Sequence, residues 1–501
     1  MKFNKLTALL AAAVLLGGAG GYFLGGSRDM GLRGYANQFG DINGDGEINA
    51  SDAALILVYA AYHGAGGEKS LDAWLSDRSS TSPTEPATQP TTQPAGTLTD
   101  EDKLLTIVGR YDEQGVMVDY YIGHYLPDGV RVRYQNLNRG SGDAPAELRT
   151  YLNSGGDMDL YFAELDWMRY FTDDPKLSMP LSALGITEAE YANSYPFAVE
   201  MGKNSSGELM AAAGEIFPGY FAYNVSLAKQ YLGVTSPEQM QAKISDWSKF
   251  EKTASELSAA SGGAVTISAS LEGLGRAYMM NTDSLWSSGN TPPGDQASDF
   301  LTMGKRFISN GYIDPQVSQW TSEWSNLQGS NKTLGFFYAT WCLNPNADYL
   351  GSSGTYNIVE GPDSWFWGGN WLCVSPYCNT QKTAADFLRT CTVDTDRMTS
   401  YMTERSARMG AGYYLSSNRK AVQNYMQTHT NKSTLLGGQD PYPVLDKAAA
   451  GIRWDNSRAG KYDFYDKGVF LSAFRSNYQY SDSKIYEAYK SRSDVIFPGL
   501  Y

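Results

Sequence analysis

Histidine is scarce in this chain of 501 residues: His63, His124 and His429 are the three that occur, far apart. A His-rich zinc centre is therefore excluded, and Ser-His-Asp chemistry would rest on one of two isolated histidines in the body of the chain. A surplus of positive charge is also missing. Lys and Arg total 40 against 54 Asp and Glu, a net charge of −14, so phosphate backbones are repelled and no basic patch marks a nucleic-acid surface. No nucleophile elbow and no phosphate-binding loop occurs. Two acidic residues in a cleft could imitate a glycosidase pair, but nothing else supports catalysis, so no catalytic residue is assigned and the chain reads as a non-enzyme. Cysteine is rare too. Cys342, Cys373, Cys378 and Cys391 fall within fifty residues of one another. Outside the cell they allow one or two disulfides in three complete pairings, with buried free thiols as the plain alternative.

What is present begins with "MKFNKLTALLAAAVLLGGAGGYFLGGSR". Lys2 and Lys5 precede an uncharged run from Leu6 to Gly26, and Arg28 follows. Twenty-one helical residues span about 32 Å, enough to cross a hydrocarbon core. No A-x-A-like cleavage site is evident and no Cys follows that could take a lipid. Positive charge ahead of the run predicts an inside N-terminus and an exported remainder. Residues 1–27 are therefore expected to be a single-pass anchor that holds the chain on the extracellular face of the cell membrane; if the segment is a cleaved signal, the chain is secreted. Residues 79–102 contain "SSTSPTEPATQPTTQPAGT", a Pro/Thr-rich linker with almost nothing to bury. Nineteen such residues reach roughly 60 Å.

Between anchor and linker lies "DINGDGEINASD". A twelve-residue calcium loop needs oxygen ligands at positions 1, 3, 5, 7, 9 and 12 and a Gly at position 6. Asp41, Asn43, Asp45, Glu47 (through its backbone carbonyl), Asn49 and Asp52 meet that pattern, with Gly46 at the turn. These oxygens suit Ca2+ and would repel one another without a cation. The following "ASDAALILVYAAYHG" has helical spacing and ends at Gly64. Loop and helix together resemble one repeat of a type I dockerin, whose full form has two. The expectation for residues 28–78 is a small α-helical EF-hand module stabilised by calcium, with docking to a cohesin-like partner as the alternative role.

From Lys103 the composition becomes globular. "DKLLTIVGRYDEQG" predicts a strand at Leu104 to Val108, "GVRVRYQNL" one at 129–137, and "DMDLYFAELDWMRYF" one at Leu160 to Ala163. "APAELRTYLNSGG" between the last two predicts a helix, so the strands should pair in parallel within an α/β lobe. "SDWSKFEKTASELSAASGG" predicts a helix with Asp246 as N-cap, an apolar face of Trp247, Phe250, Ala254 and Leu257, and a Gly262-Gly263 stop. A unit of nearly 400 residues exceeds one core and should divide in two.

The order of segments resembles carbohydrate-type, maltose-binding-protein-like extracellular solute-binding proteins. "DMDLYFAELDWM" resembles that family's "GxPDI" strand and loop. "GELMAAAGEIFPGYFAYNVSLAKQYLG" resembles its first crossing between lobes, with Asn224-Val225 where the family has Asn-Lys. "DWSKFEKTASEL" is similar to its Trp-containing helix. "KTLGFFYATWCLNPN" resembles its strand ending in Gly-Pro-Trp, with Thr340-Trp341 here. "WGGNWLCVSPYCNTQKTAADFLRTCT" resembles the return crossing, and "LLGGQDPYPVLDKAA" with the last 50 residues the C-terminal helices. The resemblance implies an α/β, two-lobe periplasmic-binding-protein-like fold with three hinge crossings over residues 103–501: lobe 1 about 103–217 and 371–408, lobe 2 about 218–370 and 409–501. It also implies sugar capture in the cleft and delivery to an ABC importer. A sugar presents hydroxyl edges to carboxylates and amides and apolar faces to aromatic rings, at strand ends. The segments expected there offer Tyr111, Asp112, Glu164, Asp166, Trp167, Glu215, Tyr220, Trp341, Trp365, Trp367, Asn370, Tyr413 and Tyr414. An oligosaccharide is the expected ligand, with peptide or another polar solute still open, and an extracellular sensor subunit would share the same cleft.

Overall fold

A computed structural model describes residues 104–496, apart from 138–143, 154, 156, 281–285, 288–289, 345–348, 351–353 and 457–462. The expected anchor, calcium loop and linker lie outside the described residues. Among the described residues no helix is long and apolar enough to cross a membrane.

The fold is organised by one mixed sheet that two halves of the molecule share. Its first half is parallel. β1 (Leu104–Gly109) reads "LLTIVG" and is buried along nearly its whole length, as befits a strand covered on both faces. It pairs in parallel with β2 (Arg131–Asn136) on one side and β3 (Leu160–Glu164) on the other. The predicted parallel arrangement is therefore present, but β2 and β3 flank β1 and do not touch each other. The helix Ala144–Asn153 is the crossover between them.

Two long strands link the halves. β4 (Ala211–Asn224) pairs antiparallel with β8 (Phe366–Val374) through its first part, and with β6 (Thr333–Ala339) and β7 (Tyr356–Val359) through its last part. β8 in turn pairs antiparallel with β3, while β5 (Thr266–Ser268) lies parallel to β6 at the far edge. The order is β2-β1-β3-β8-β4-β6-β5, with β7 also on β4. The register of β4 on β8 slips twice, between Ala213 and Glu215 and again between Ile216 and Pro218. Each slip is a bulge, and bulges bend a strand and increase its twist. Opposite them in β8, Gly368 and Gly369 have φ of +84° and +143°. A Cβ on Gly369 would meet the Trp371 ring at 2.4 Å, so the bend is built for glycine there. Bulges and glycines together place the kink where the sheet passes from one half to the other.

Helices cover both faces. Asp112–His124 follows β1, and Gln381–Thr392 packs on it and on β4. Thr395–Met409 packs on Arg419–Thr428, after which Gln439 bonds both the N–H and the C=O of Ile358 in β7. In the second half, Leu271–Met279 packs against Asp463–Asn477, which is paired with Asp482–Ile496. The helix Trp247–Ser261 forms as the sequence dictates. The Asp246 side chain accepts from Lys249 N at 2.7 Å, Phe250, Ala254 and Leu257 are buried, and Gly262 ends it at φ 63°. All four cysteines are buried free thiols; neither of the disulfide alternatives is formed.

Candidate functional site

The kink gathers polar groups from three neighbouring strands. Asn370 of β8 is the register partner of Glu164 on β3 and of Glu215 on β4. Residues directly opposite on adjacent strands project from the same face, so Glu164, Asn370 and Glu215 form one row across the sheet. The row is fixed from behind by Gln114. Its Nε2 donates to Asn370 Oδ1 at 2.9 Å, while its Oε1 accepts from the N–H groups of Arg110 and Tyr111 and from the Tyr134 hydroxyl. Asn370 in turn hydrogen-bonds Glu215. At one end of the row Glu164 pairs with Arg110 at 3.2 Å and lies against Tyr111, whose hydroxyl is pushed up by burial and by that carboxylate. At the other end Arg405 faces Glu215 and stands 5.4 Å from the Tyr413 ring centre. Burial raises the Glu215 carboxyl above its ordinary value, against the opposing pull of Arg405 and the Asn370 bond. Burial and Glu215 together push the Tyr413 hydroxyl up to about 12.

A second wall is aromatic and comes from the other half. Trp367 leaves β8 two residues before Gly369, and Trp341 sits in the short turn after β6. Their rings meet edge to face at 4.9 Å, and Trp341 Nε1 donates to the Trp367 carbonyl at 3.2 Å. Arg276 lies over Trp367 at 4.2 Å. It also faces Asp166, from the loop after β3, so this pair spans the two halves. Burial raises the Asp166 carboxyl, with Arg276 opposing and Glu164 adding to it. The same burial brings Arg276 down to about 10 despite Asp166 and Glu272. The Nε atoms of Arg276 and Arg405 are buried without a hydrogen-bond partner. Buried donors are ordinarily satisfied, and these two depart from that rule.

Of the residues expected at the site, the structure brings together Tyr111, Glu164, Asp166, Glu215, Asn370, Trp341, Trp367 and Tyr413. Five others go elsewhere. Tyr220 and Trp365 are fully buried; the Trp365 ring fills the space where a Cβ on Gly219 would stand. Tyr414 is core, and its hydroxyl bonds the Gly214 carbonyl at 2.9 Å. In the "YY" pair only Tyr413 faces the site, because successive residues point to opposite sides of an extended segment. Trp167 packs edge-on against Phe171 at 5.3 Å. Asp112 is exposed and accepts from Asn136 Nδ2 at 2.9 Å, at the end of β2.

The sequence reading missed Gln114, Arg110, Arg276 and Arg405, which carry no local motif. It also missed Trp320. This residue is 50% exposed, and its φ of 72° is the only positive value at a non-glycine among the described residues. A left-handed backbone at such a side chain costs about 1–2 kcal/mol. Its ring lies 5.6 Å from Trp367, 5.8 Å from Trp341 and 6.0 Å from Tyr349. Among the described residues no group of three or more His, Cys, Asp or Glu side chains could hold a metal ion.

A mixed sheet divided by two kinked linking strands, with a polar row and an aromatic cluster at the division, matches a two-lobe α/β solute-binding protein. Residues 128–424 match the bacterial extracellular solute-binding proteins, and the chain belongs to that family. It is a binding protein and not an enzyme. No curated protein matches the sequence. Among solved structures, an extracellular solute-binding protein of family 1 superposes with a TM-score of 0.65 at 15% identity, over 78% of this chain and 99% of that one. Maltose-bound MalE3 of T. maritima gives 0.53 at 14%, over 79% and 100%. The ABC transporter associated binding protein of B. animalis subsp. lactis Bl-04, in complex with β-1,6-galactobiose, gives 0.54 at 14%, over 78% and 97%. At these identities the likeness is one of fold.

Proposed function

We propose that the large unit captures an oligosaccharide outside the cell and closes its lobes around it for presentation to an ABC importer. The observation that carries this reading is the convergence at the kink of the Glu164–Asn370–Glu215 row and the Trp341–Trp367 pair, with Trp367 and Asn370 on the same strand. The row offers fixed acceptors and donors for hydroxyl edges, and the indoles offer faces for C–H surfaces. Closure would follow from the guest touching both walls, since a ligand shifts an open–closed equilibrium only by its differential affinity for the closed form. The maltose and galactobiose in the solved relatives are consistent with a sugar guest. Titration of the protein with a broad glycan panel, followed by tryptophan fluorescence, tests the reading. A saturable change at micromolar glycan is expected, and a flat response across the panel would reject it.

The N-terminal arrangement belongs to the same proposal. Residues 1–27 hold the chain at the membrane, residues 79–102 are its tether, and the loop Asp41–Asp52 binds Ca2+ to stiffen the collar between them. At free calcium a hundredfold above the dissociation constant, binding would add about 2.7 kcal/mol to that module. Chelation should lower the melting temperature of an isolated 28–78 signal in calorimetry while leaving glycan affinity unchanged. Loss of glycan binding on chelation would contradict this division of labour. Retention of a cohesin-like protein on the chain, abolished by chelator, would instead favour the docking role.

A further inference from the structure

Trp320 stands at an edge of the aromatic wall where neither strand nor helix requires a large apolar side chain. Its ring is held up from below by Trp324, which is buried at 4.9 Å from it. Its backbone is braced on both sides. Ser318 Oγ donates to Glu272 Oε1 at 3.1 Å, and Arg475 pairs with the same carboxylate oxygen at 2.5 Å. On the other side Thr321 Oγ1 donates to the Ser318 carbonyl at 2.8 Å and accepts from Trp324 N at 3.3 Å, capping the turn Ser322–Ser325. Glu272 lies one helical turn before Arg276, so the brace ties the Trp320 loop to the helix that reaches Asp166. Strained backbone persists only where its surroundings over-determine it, and such positions cluster at ligand clamps. Relative to Trp320, the Trp341 ring is inclined by 31° and the Trp367 ring by 48°. With Trp320 the aromatic cluster extends beyond the Trp341–Trp367 pair.

We propose that Trp320 is a stacking face for an additional sugar ring, so that the site is shaped for a glycan chain and not for a single monosaccharide. The proposal rests on the carbohydrate reading of the same site. It assigns Trp320 to chain-length selectivity, while the Glu164–Asn370–Glu215 row and Trp341–Trp367 hold the first ring.

The test compares wild type with Trp320→Asn and Trp320→Gly by calorimetric titration against a length series, from the monosaccharide upwards, of each glycan that wild type binds. Asn and Gly both accept left-handed backbone, so neither variant strains the loop. The expected result is about a tenfold loss of affinity for the longer members, monosaccharide affinity within twofold of wild type, and a melting temperature no lower than wild type. In wild type the longer glycan should also protect tryptophan from acrylamide quenching, and this protection should shrink in both variants. Equal affinities at every length would overturn the proposal and leave the carbohydrate reading standing. An equal loss at every length with a lowered melting temperature would also overturn it, making Trp320 a prop for the wall. If wild type bound no glycan at all, the proposal and the reading beneath it would fall together.

Discussion

The two walls of the junction are built on different principles. The first-half wall is a hydrogen-bonded lattice in which each acceptor is fixed by a neighbour: Tyr134 and two backbone N–H groups on Gln114, Gln114 on Asn370, Asn370 on Glu215. The second-half wall is a set of indoles that hold one another by edges and faces, with Arg276 laid on Trp367. A lattice of that kind sets direction and responds to protons. A ring stack supplies contact area and is indifferent to pH. The difference implies that orientation and affinity are separable in this protein, one on each lobe.

The sharpest break in that comparison is Trp367→Ala. Loss of ring contact should weaken glycan affinity by roughly 30- to 100-fold, equally at pH 5 and pH 7 by calorimetry. A loss that varied with pH would show that Arg276 and Asp166 act through the ring. Next comes Glu215→Gln, for which about a tenfold loss at pH 7 is expected, since hydrogen bonds to charged groups contribute about 1.5–3 kcal/mol. Because burial raises the Glu215 carboxyl, wild-type affinity should fall on acidification before the ordinary carboxylate range is reached, and the Gln variant should be flat there. Stability moves the other way. A raised folded value means that ionised Glu215 costs stability as pH rises through it. Thermal unfolding should therefore find the Gln variant at least as stable as wild type at pH 7, with the advantage vanishing at low pH.

A smaller effect on binding is expected from Gln114→Leu, which touches no guest. Affinity should fall several-fold, and denaturant unfolding should show a loss of about 1–3 kcal/mol from the buried partners left unpaired. Unchanged affinity would mean that Glu215 does not need the lattice behind it. The smallest effect is that of Asn224→Ala, at the far end of β4. Its side chain caps the next helix by accepting from Leu227 N at 3.1 Å. Removing the cap should cost about 1 kcal/mol in unfolding experiments and leave glycan affinity untouched.

How much of this was legible in the sequence follows the same division. β1, β3 and the helix Trp247–Ser261 were readable because local patterning and caps specify them. Glu164, Glu215 and Asn370 were each visible as polar residues near expected strand ends. Their alignment in one row was not, because register between strands so distant in the sequence is set by tertiary pairing. Gln114 carried no local signal, and its role depends on Asn370, 256 residues away. Trp365 and Trp367 were both candidates until the strand direction put one under Gly219 and the other beside Arg276. Trp320 carried no signal at all: "VSQWTSEW" gives no hint of a left-handed backbone at a position flanked by the Ser318–Glu272 and Thr321–Ser318 bonds.

The central claim is that one guest touches both walls at once. A crystal structure of the protein with the tightest-binding glycan of the panel tests it most directly. A sugar face against Trp341 or Trp367, with hydroxyls of the same molecule bonded to Glu215 or Asn370, is the predicted result. A glycan bound to one lobe alone, or outside the junction, would contradict the account.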